Sequence, residues 1–207
     1  MGPPGSGKGT QASYIADRFG IDSISTGDLF RDNLSRDTEL GRLAKRYMEK
    51  GEYVPDQVTI DIVMRWIESP DNNKGFVLDG FPRTIAQAEA LDQGLRDLGG
   101  IDRVIFFDAK EDLLVERLSG RLICSSCQAS YNLVYSPPAS QGECDSCKGN
   151  LYQRDDDKSA VVRNRLCVYM RETEPVVQFF RASGTLREID ASLSISEVRD
   201  AVEDAVR

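Results

Sequence analysis

Apolar positions along the chain follow two rhythms. Phe76-Val-Leu-Asp79 and Val104-Ile-Phe-Phe-Asp108 are short unbroken runs, each closed by an aspartate, and shorter stretches at 21–24 and 186–190 have the same texture. Between them the spacing turns helical. Residues 8–19 read as one helix; Leu40, Leu43, Ala44 and Tyr47 fall at i, i+3, i+4 and i+7; Pro55-Asp56 opens a further helix with Val58, Ile62 and Trp66 along one face. Residues 84–98 and 111–118 add two more. Short apolar runs separated by amphipathic helices predict parallel strands buried on both faces, with the terminal carboxylates on the ligand-binding edge of the sheet. Over 120–154 the periodicity lapses into Cys, Ser, Gly, Tyr and Pro137-Pro138, which predicts a small β-rich insertion. A helix is then expected over 158–182, a strand over 186–190, and a last helix opened by the capping box Ser194-Ile-Ser-Glu197.

Composition narrows the function. With 207 residues, 40% hydrophobic and 29% charged, the chain makes one domain of ordinary size with small inserted lobes. Lys plus Arg is 26 against Asp plus Glu 34, a net charge of −8, opposite in sign to what a general nucleic-acid binder carries. Any polyanion must therefore meet a local basic pocket. The absence of histidine removes every triad, dyad and metal site that needs an imidazole. No run approaches 18 apolar residues and residues 1–10 lack the core of a signal peptide, so the expectation is a cytoplasmic protein with no membrane partner and reduced cysteines.

Gly2-Pro-Pro-Gly5-Ser6-Gly7-Lys8-Gly9-Thr10 has the spacing of a phosphate-binding loop. Glycines let successive backbone N–H groups face inward around phosphate oxygens, the following helix adds its positive end, and Lys8 adds a full charge. Gly9 stands where the strict pattern has a hydroxyl residue, and Thr10 supplies that hydroxyl one place later. Cys124-Ser-Ser-Cys127 and Cys144-Asp-Ser-Cys147, sixteen residues apart, read as a closed tetrahedral zinc site of four cysteines; redox pairs would need a βαβ setting that is missing here. The segment is too short to build a large core, so zinc supplies the stability that apolar burial cannot. Cys167, between Leu166 and Val168, is expected as a small buried hydrophobe.

The loop, taken with Ser25-Thr-Gly-Asp28 and Asp79-Gly-Phe-Pro-Arg-Thr84, resembles the adenylate kinases among the nucleoside monophosphate kinases, over nearly all of the chain. The resemblance implies a parallel α/β core (1–24, 55–119 and 158–207), a mobile helical AMP-binding lobe (25–54), a zinc-binding lid (120–157), and reversible phosphoryl transfer from Mg-ATP to AMP by a monomer. It implies that Gly5, Ser6, Gly7, Lys8, Gly9 and Thr10 hold ATP with Arg117 and Arg121. It sets Thr26, Arg31, Val54, Gly80, Arg83 and Gln87 around AMP, and Arg117, Arg154 and Arg165 join Lys8 and Arg83 about the transferred group. Arginine suits that task because its planar donors grip phosphate bidentately and its charge is fixed. Asp79, a carboxylate at a strand end, is the expected partner of magnesium-bound water. Thr26 and Gln87 can read an adenine edge, which favours AMP over UMP or CMP.

Other readings stay open: a related kinase with another acceptor or donor, a nucleotide switch without turnover, or a zinc-ribbon module. The last is disfavoured by the scarcity of Lys and Arg within 120–153. One feature departs from the family. A phosphate loop normally follows a central buried strand, yet only Met1 precedes Gly2. The expectation is that the runs at 76–79 and 104–108 flank a gap, that the first core strand is missing, and that the natural coding sequence begins upstream.

Overall fold

The computed structural model describes residues 1–69 and 74–207. Helix α1 (Lys8–Phe19) leaves the glycine loop and ends at Gly20, whose left-handed backbone lets its N–H cap Ala16. Strand β1 (Asp22–Ser25) follows. Three helices come next: α2 (Thr26–Ser35), α3 (Glu39–Met48) and α4 (Asp56–Ile67). Ser25 and Thr38 cap α2 and α3 by accepting from the N–H of Asp28 and Gly41, at 3.3 and 3.0 Å. Strand β2 (Phe76–Asp79), helix α5 (Ile85–Leu95) with a short 3-10 turn, strand β3 (Val104–Asp108) and helix α6 (Glu111–Ser119) complete the first half.

Between α6 and the closing helices lies a three-stranded antiparallel sheet. Strand β4 (Arg121–Cys124) sits between β5 (Ser130–Asn132) and β6 (Leu151–Tyr152). After it come α7 (Ser159–Val168), α8 (Glu174–Ser183), β7 (Leu186–Asp190) and α9 (Ile195–Val206), the last opened by the expected Ser194/Glu197 capping box. The single helix expected over 158–182 is instead interrupted by a π turn at Tyr169–Thr173. Pro175 has no N–H to donate and its ring crowds the carbonyl four residues back, so the ladder widens ahead of it.

The parallel strands form two pairs. β1 runs beside β2 with Ile24 opposite Leu78, and β3 runs beside β7 with Phe106 opposite Glu188. Between the pairs, Met1 lies against β3: its carbonyl accepts from Phe107 N at 2.9 Å and its amino group donates to Ile105 O. Burial on both faces, expected for every strand, holds best for β3, which Met1 also covers, whereas β1 and β7 each keep exposed residues. Helices pack on both sides of the strands. Ile15 of α1 meets Phe107, Ile189, Val198 and Val202, while Val63 and Ile67 of α4 meet Phe81, Leu91 and Leu95. Leu114 and Leu118 of α6 close on Val162 and Leu166 of α7.

Cys167 is exposed, contrary to expectation. Its neighbours Leu166 and Val168 are buried, but at about 100° per residue they bracket the inward arc of the helix, and Cys167 bisects the outward one. No helix among the described residues is long and apolar enough to cross a membrane.

Candidate active site

The phosphate loop, the ends of β1 and β2, the α3–α4 connection, the cysteine region and the start of α9 enclose one cleft of about 1150 Å³. Its floor is the loop. Gly7 caps α1 in the left-handed conformation, which turns the first helical N–H groups toward the cleft. The Lys8 ammonium donates to Pro3 O at 2.9 Å, across the loop. Removal from water lowers its pKa to about 8; Asp79 opposes that shift, and Arg83, Arg165 and Arg121 reinforce it. Gly9 and Thr10 lie exposed at the mouth, whereas Ser6 is buried with its hydroxyl unpartnered. Asp79 stands at the carboxyl end of β2, its Oδ2 3.3 Å from where a Cβ on Gly9 would project. Loop and carboxylate are thus adjacent, and Gly5 lines the same floor.

One wall carries the residues expected around AMP. Gly80, at φ 74°, lies so close to its neighbours that a Cβ would stand 2.7 Å from Arg83 Nη2 and 3.0 Å from Thr26 Oγ1. Its carbonyl accepts from both: Thr26 Oγ1 at 2.9 Å and Arg83 Nε at 2.7 Å. Gln87 is fully buried. Its carbonyl accepts from Arg83 N at 2.8 Å and its amide donates to Asp56 at 2.7 Å, which leaves a single N–H of the amide for a base. Arg31 on α2 pairs with Asp28 at 2.6 Å, and Val54 lines the cleft beside them. Arg31 keeps a buried Nε without a partner.

The opposite wall is built by 117–165. Asp157, completely buried, takes two hydrogen bonds from Arg121, 2.7 Å from Nε and 2.5 Å from Nη2, and one from Arg165 at 3.0 Å. Arg165 also pairs with Asp156 at 3.2 Å. Burial pushes the Asp156 carboxyl up, but Arg165, Arg31, Arg121 and Arg154 outweigh it and hold the group below the ordinary carboxylate range. Arg154 reaches across the cleft to Asp28 at 3.3 Å and leaves its own Nε buried and unpartnered. Burial, then Arg31 and Arg121, lower its pKa to about 10 against the pull of Asp28 and Asp156. Arg117 donates to Ala191 O at 2.7 Å while its guanidinium lies 5.2 Å from the ring centre of Tyr135. Asn132 fixes that pair: its amide donates to Arg117 O at 2.9 Å and its carbonyl accepts from the N–H of Val134 and Tyr135.

Cys124, Cys127, Cys144 and Cys147 form one cluster, every Sγ within 4.8 Å of the others. Cys124 and Cys147 stand 3.4 Å apart, Cys127 and Cys144 3.6 Å. A tetrahedron with Zn–S bonds of about 2.3 Å needs S–S separations of about 3.8 Å, so the donor set fits zinc. The N–H groups of Ser126 and Cys127 point at the sulfur of Cys124, and the Tyr131 hydroxyl lies 3.4 Å from that of Cys144. These are the contacts that orient thiolates.

The structure brings the expected loop, acceptor-side and donor-side residues to one cleft and sets the four cysteines beside it. Tyr135, Asn132, Asp156 and Asp157 had not been singled out. The run Arg154-Asp-Asp-Asp157 was the available signal for the carboxylates, whereas a tyrosine meeting an arginine eighteen residues earlier leaves no local pattern.

The family model described as adenylate kinase matches residues 1–185. The chain is 51% identical over 208 residues to an adenylate kinase of Methanocella arvoryzae, covering all of this chain and 96% of that protein. It is 49% identical to one of Archaeoglobus fulgidus, covering 98% and 94%, and 50% identical to one of Carboxydothermus hydrogenoformans, covering 100% and 97%.

Proposed function

Since the chain belongs to the adenylate kinase family and so transfers a phosphoryl group between ATP and AMP, we propose how the residues of its cleft divide that task. The phosphate loop and Lys8 hold the donor phosphates. Arg31 and Arg83 hold the phosphate of AMP, and Arg121, Arg154 and Arg165 gather charge on the group in transit. Arg117 and Tyr135 flank the donor base, and Thr26, Val54 and Gln87 meet the acceptor base. Magnesium enters with ATP, where it neutralises phosphate charge, and Asp79 holds its water ligands. Zinc on the four cysteines is structural. Residues 120–157 and 25–54 close over the nucleotides and exclude the water that would otherwise be phosphorylated.

The observation that carries this reading is the pair of buried, unpartnered Nε groups on Arg31 and Arg154, two cleft-lining guanidinium groups that come together on the same oxygen of Asp28. Buried guanidinium donors without acceptors are costly unless an anion completes them, and two from opposite walls match one polyphosphate chain. Phosphoryl transfer needs little else, since positioning and charge stabilisation provide most of its acceleration.

A kinetic panel tests the assignment. Purified protein with ATP, Mg²⁺ and AMP makes ADP, and UMP or CMP serve at least about tenfold less well, a difference of about 1.4 kcal/mol. Lys8→Met and Arg83→Ala each lower turnover by about a hundredfold or more. Near-normal rates in both folded variants would move the site elsewhere, and equal use of UMP would remove the roles of Thr26 and Gln87. The protein is expected to act as a cytoplasmic monomer.

A further inference from the structure

Arg83 is held at more points than a phosphate ligand needs. Its N–H donates to Gln87 and its Nε to Gly80 O, while its own carbonyl accepts from the Thr173 hydroxyl at 2.8 Å, ninety residues away. The guanidinium lies over the ring of Tyr53, 5.0 Å from its centre. Tyr53 and Thr173 are themselves linked, hydroxyl to hydroxyl, at 2.9 Å. Because the Thr173 proton is committed to Arg83 O, the proton of that second bond belongs to Tyr53. Three residues thus close a ring: Tyr53 ring to Arg83 guanidinium, Arg83 carbonyl to Thr173, Thr173 hydroxyl to Tyr53.

The ring joins three parts of the chain. Arg83 follows β2; Thr173 ends the π turn between α7 and α8 and is buried; Tyr53 lies in the connection from α3 to α4, where the acceptor-side helices rejoin the core. π turns recur at functional sites, and here the residue that ends the turn is the one that meets Arg83. With Nε committed and one face covered by Tyr53, the two Nη groups remain, and among the described residues neither makes a hydrogen bond.

We propose that Tyr53 is a positioning residue for Arg83: its ring fixes the plane of the guanidinium, its hydroxyl locks that arrangement through Thr173, and the Nη edge is thereby aimed at the phosphate between the two substrates. The inference rests on the reading of Arg83 as a phosphate ligand. Misplacement of such a group by a fraction of an ångström weakens transition-state contacts more than ground-state binding.

The test is steady-state kinetics on the full chain carrying Tyr53→Leu, Tyr53→Phe, Thr173→Val and the Tyr53→Phe/Thr173→Val double change. Tyr53→Leu lowers kcat about five- to tenfold and raises the KM for AMP, with the KM for ATP within about twofold of the parent. Tyr53→Phe keeps the ring and loses only about two- to threefold, and it adds nothing in the Thr173→Val background because the two hydroxyls act through one bond. Tyr53→Leu without effect, Tyr53→Phe as harmful as Tyr53→Leu, an equal rise in both KM values, or independent effects of the two hydroxyl deletions would each overturn the proposal. Should Tyr53→Leu fail to fold, the hydroxyl pair decides alone. Arg83→Ala run in parallel separates the failures. Near-normal turnover there sinks the reading of Arg83, whereas a hundredfold loss beside a silent Tyr53→Leu sinks only the role of Tyr53.

Discussion

Residues 25–54 and 120–157 overhang the same cleft from opposite sides, and each lends it arginine, but they are held together by different physics. In 25–54, Phe30, Ala44 and Val54 are buried, with Leu29, Leu40, Tyr47 and Met48 packed round them, as amphipathic helices permit. In 120–157 the buried cluster is Cys124, Tyr131 and Cys144, while Leu133 and Val134 are 58% and 64% exposed. Ile123 is buried and Leu122, Ala129 and Leu151 pack against that cluster, but other apolar groups of the second region are left outside. A sheet of three strands, the longest four residues, has too little inner face to enclose them, so thiols at tetrahedral spacing take the place of a core. The same architectural task is met by burial on one side and, with zinc on the four cysteines as proposed, by ligation on the other.

The comparison breaks most visibly under chelation. Structural zinc sites contribute on the order of 10 kcal/mol to folding small units. One zinc per chain is expected, retained in Cys167→Ser and lost in Cys144→Ser. Its removal should abolish amide-exchange protection in β4, β5 and β6 while α2 and α3 stay protected. No zinc in protein purified without chelator, or unchanged exchange after its removal, would contradict the contrast. A smaller effect follows from the other side. Phe30→Ala should cost about 3 to 5 kcal/mol, felt in α2 and α3; the KM for AMP rises and zinc content stays at one per chain, as calorimetry and elemental analysis can establish. Loss of zinc in that variant would mean that the two regions share a core.

The smallest effect concerns the floor beneath both regions. Lys8 is protonated below about pH 8 and neutral above it, whereas in the unfolded chain it keeps its proton to about 10.5. ATP affinity should therefore weaken as pH rises through about 8, approaching tenfold per unit, and Lys8→Met should flatten that dependence. Folding stability takes the opposite sign from this group, rising between about 8 and 10.5 as the cost of the buried ammonium disappears. A titration of ATP binding with no inflection near 8 would rule out this role of the charge.

Much of the fold was legible because it is local. The strands at 76–79, 104–108 and 186–190 and the capping box at Ser194 occur where the apolar runs and the cap chemistry put them. The phosphate loop was legible for the same reason, since consecutive residues carry its mechanism. What escaped is non-local. Pro175 ends a ladder whose widening is visible only with Tyr169 and Thr173 in place; Cys167 turns outward because of what Leu166 and Val168 face. Gln87 keeps one amide N–H for a base, but that Asp56 and the backbone of Arg83 take the rest of its head group is visible only in the fold. The buried Asp157 between Arg121 and Arg165 depends on the insertion folding back by 36 residues, a distance no periodicity spans.

The reach of Arg154 to Asp28 changes what occupancy of this cleft means. Asp28 already gives Arg31 and Arg154 an oxygen, at 2.6 and 3.3 Å, so the free protein holds its own carboxylate where an incoming anion would pair. If phosphate pairs with these two guanidinium groups as proposed, it exchanges one anion for another there, and that contact contributes only the difference between a phosphate and an aspartate. Added salt weakens both sides of such an exchange. The ionic-strength dependence of binding is accordingly shallower than the number of arginines in the cleft would suggest.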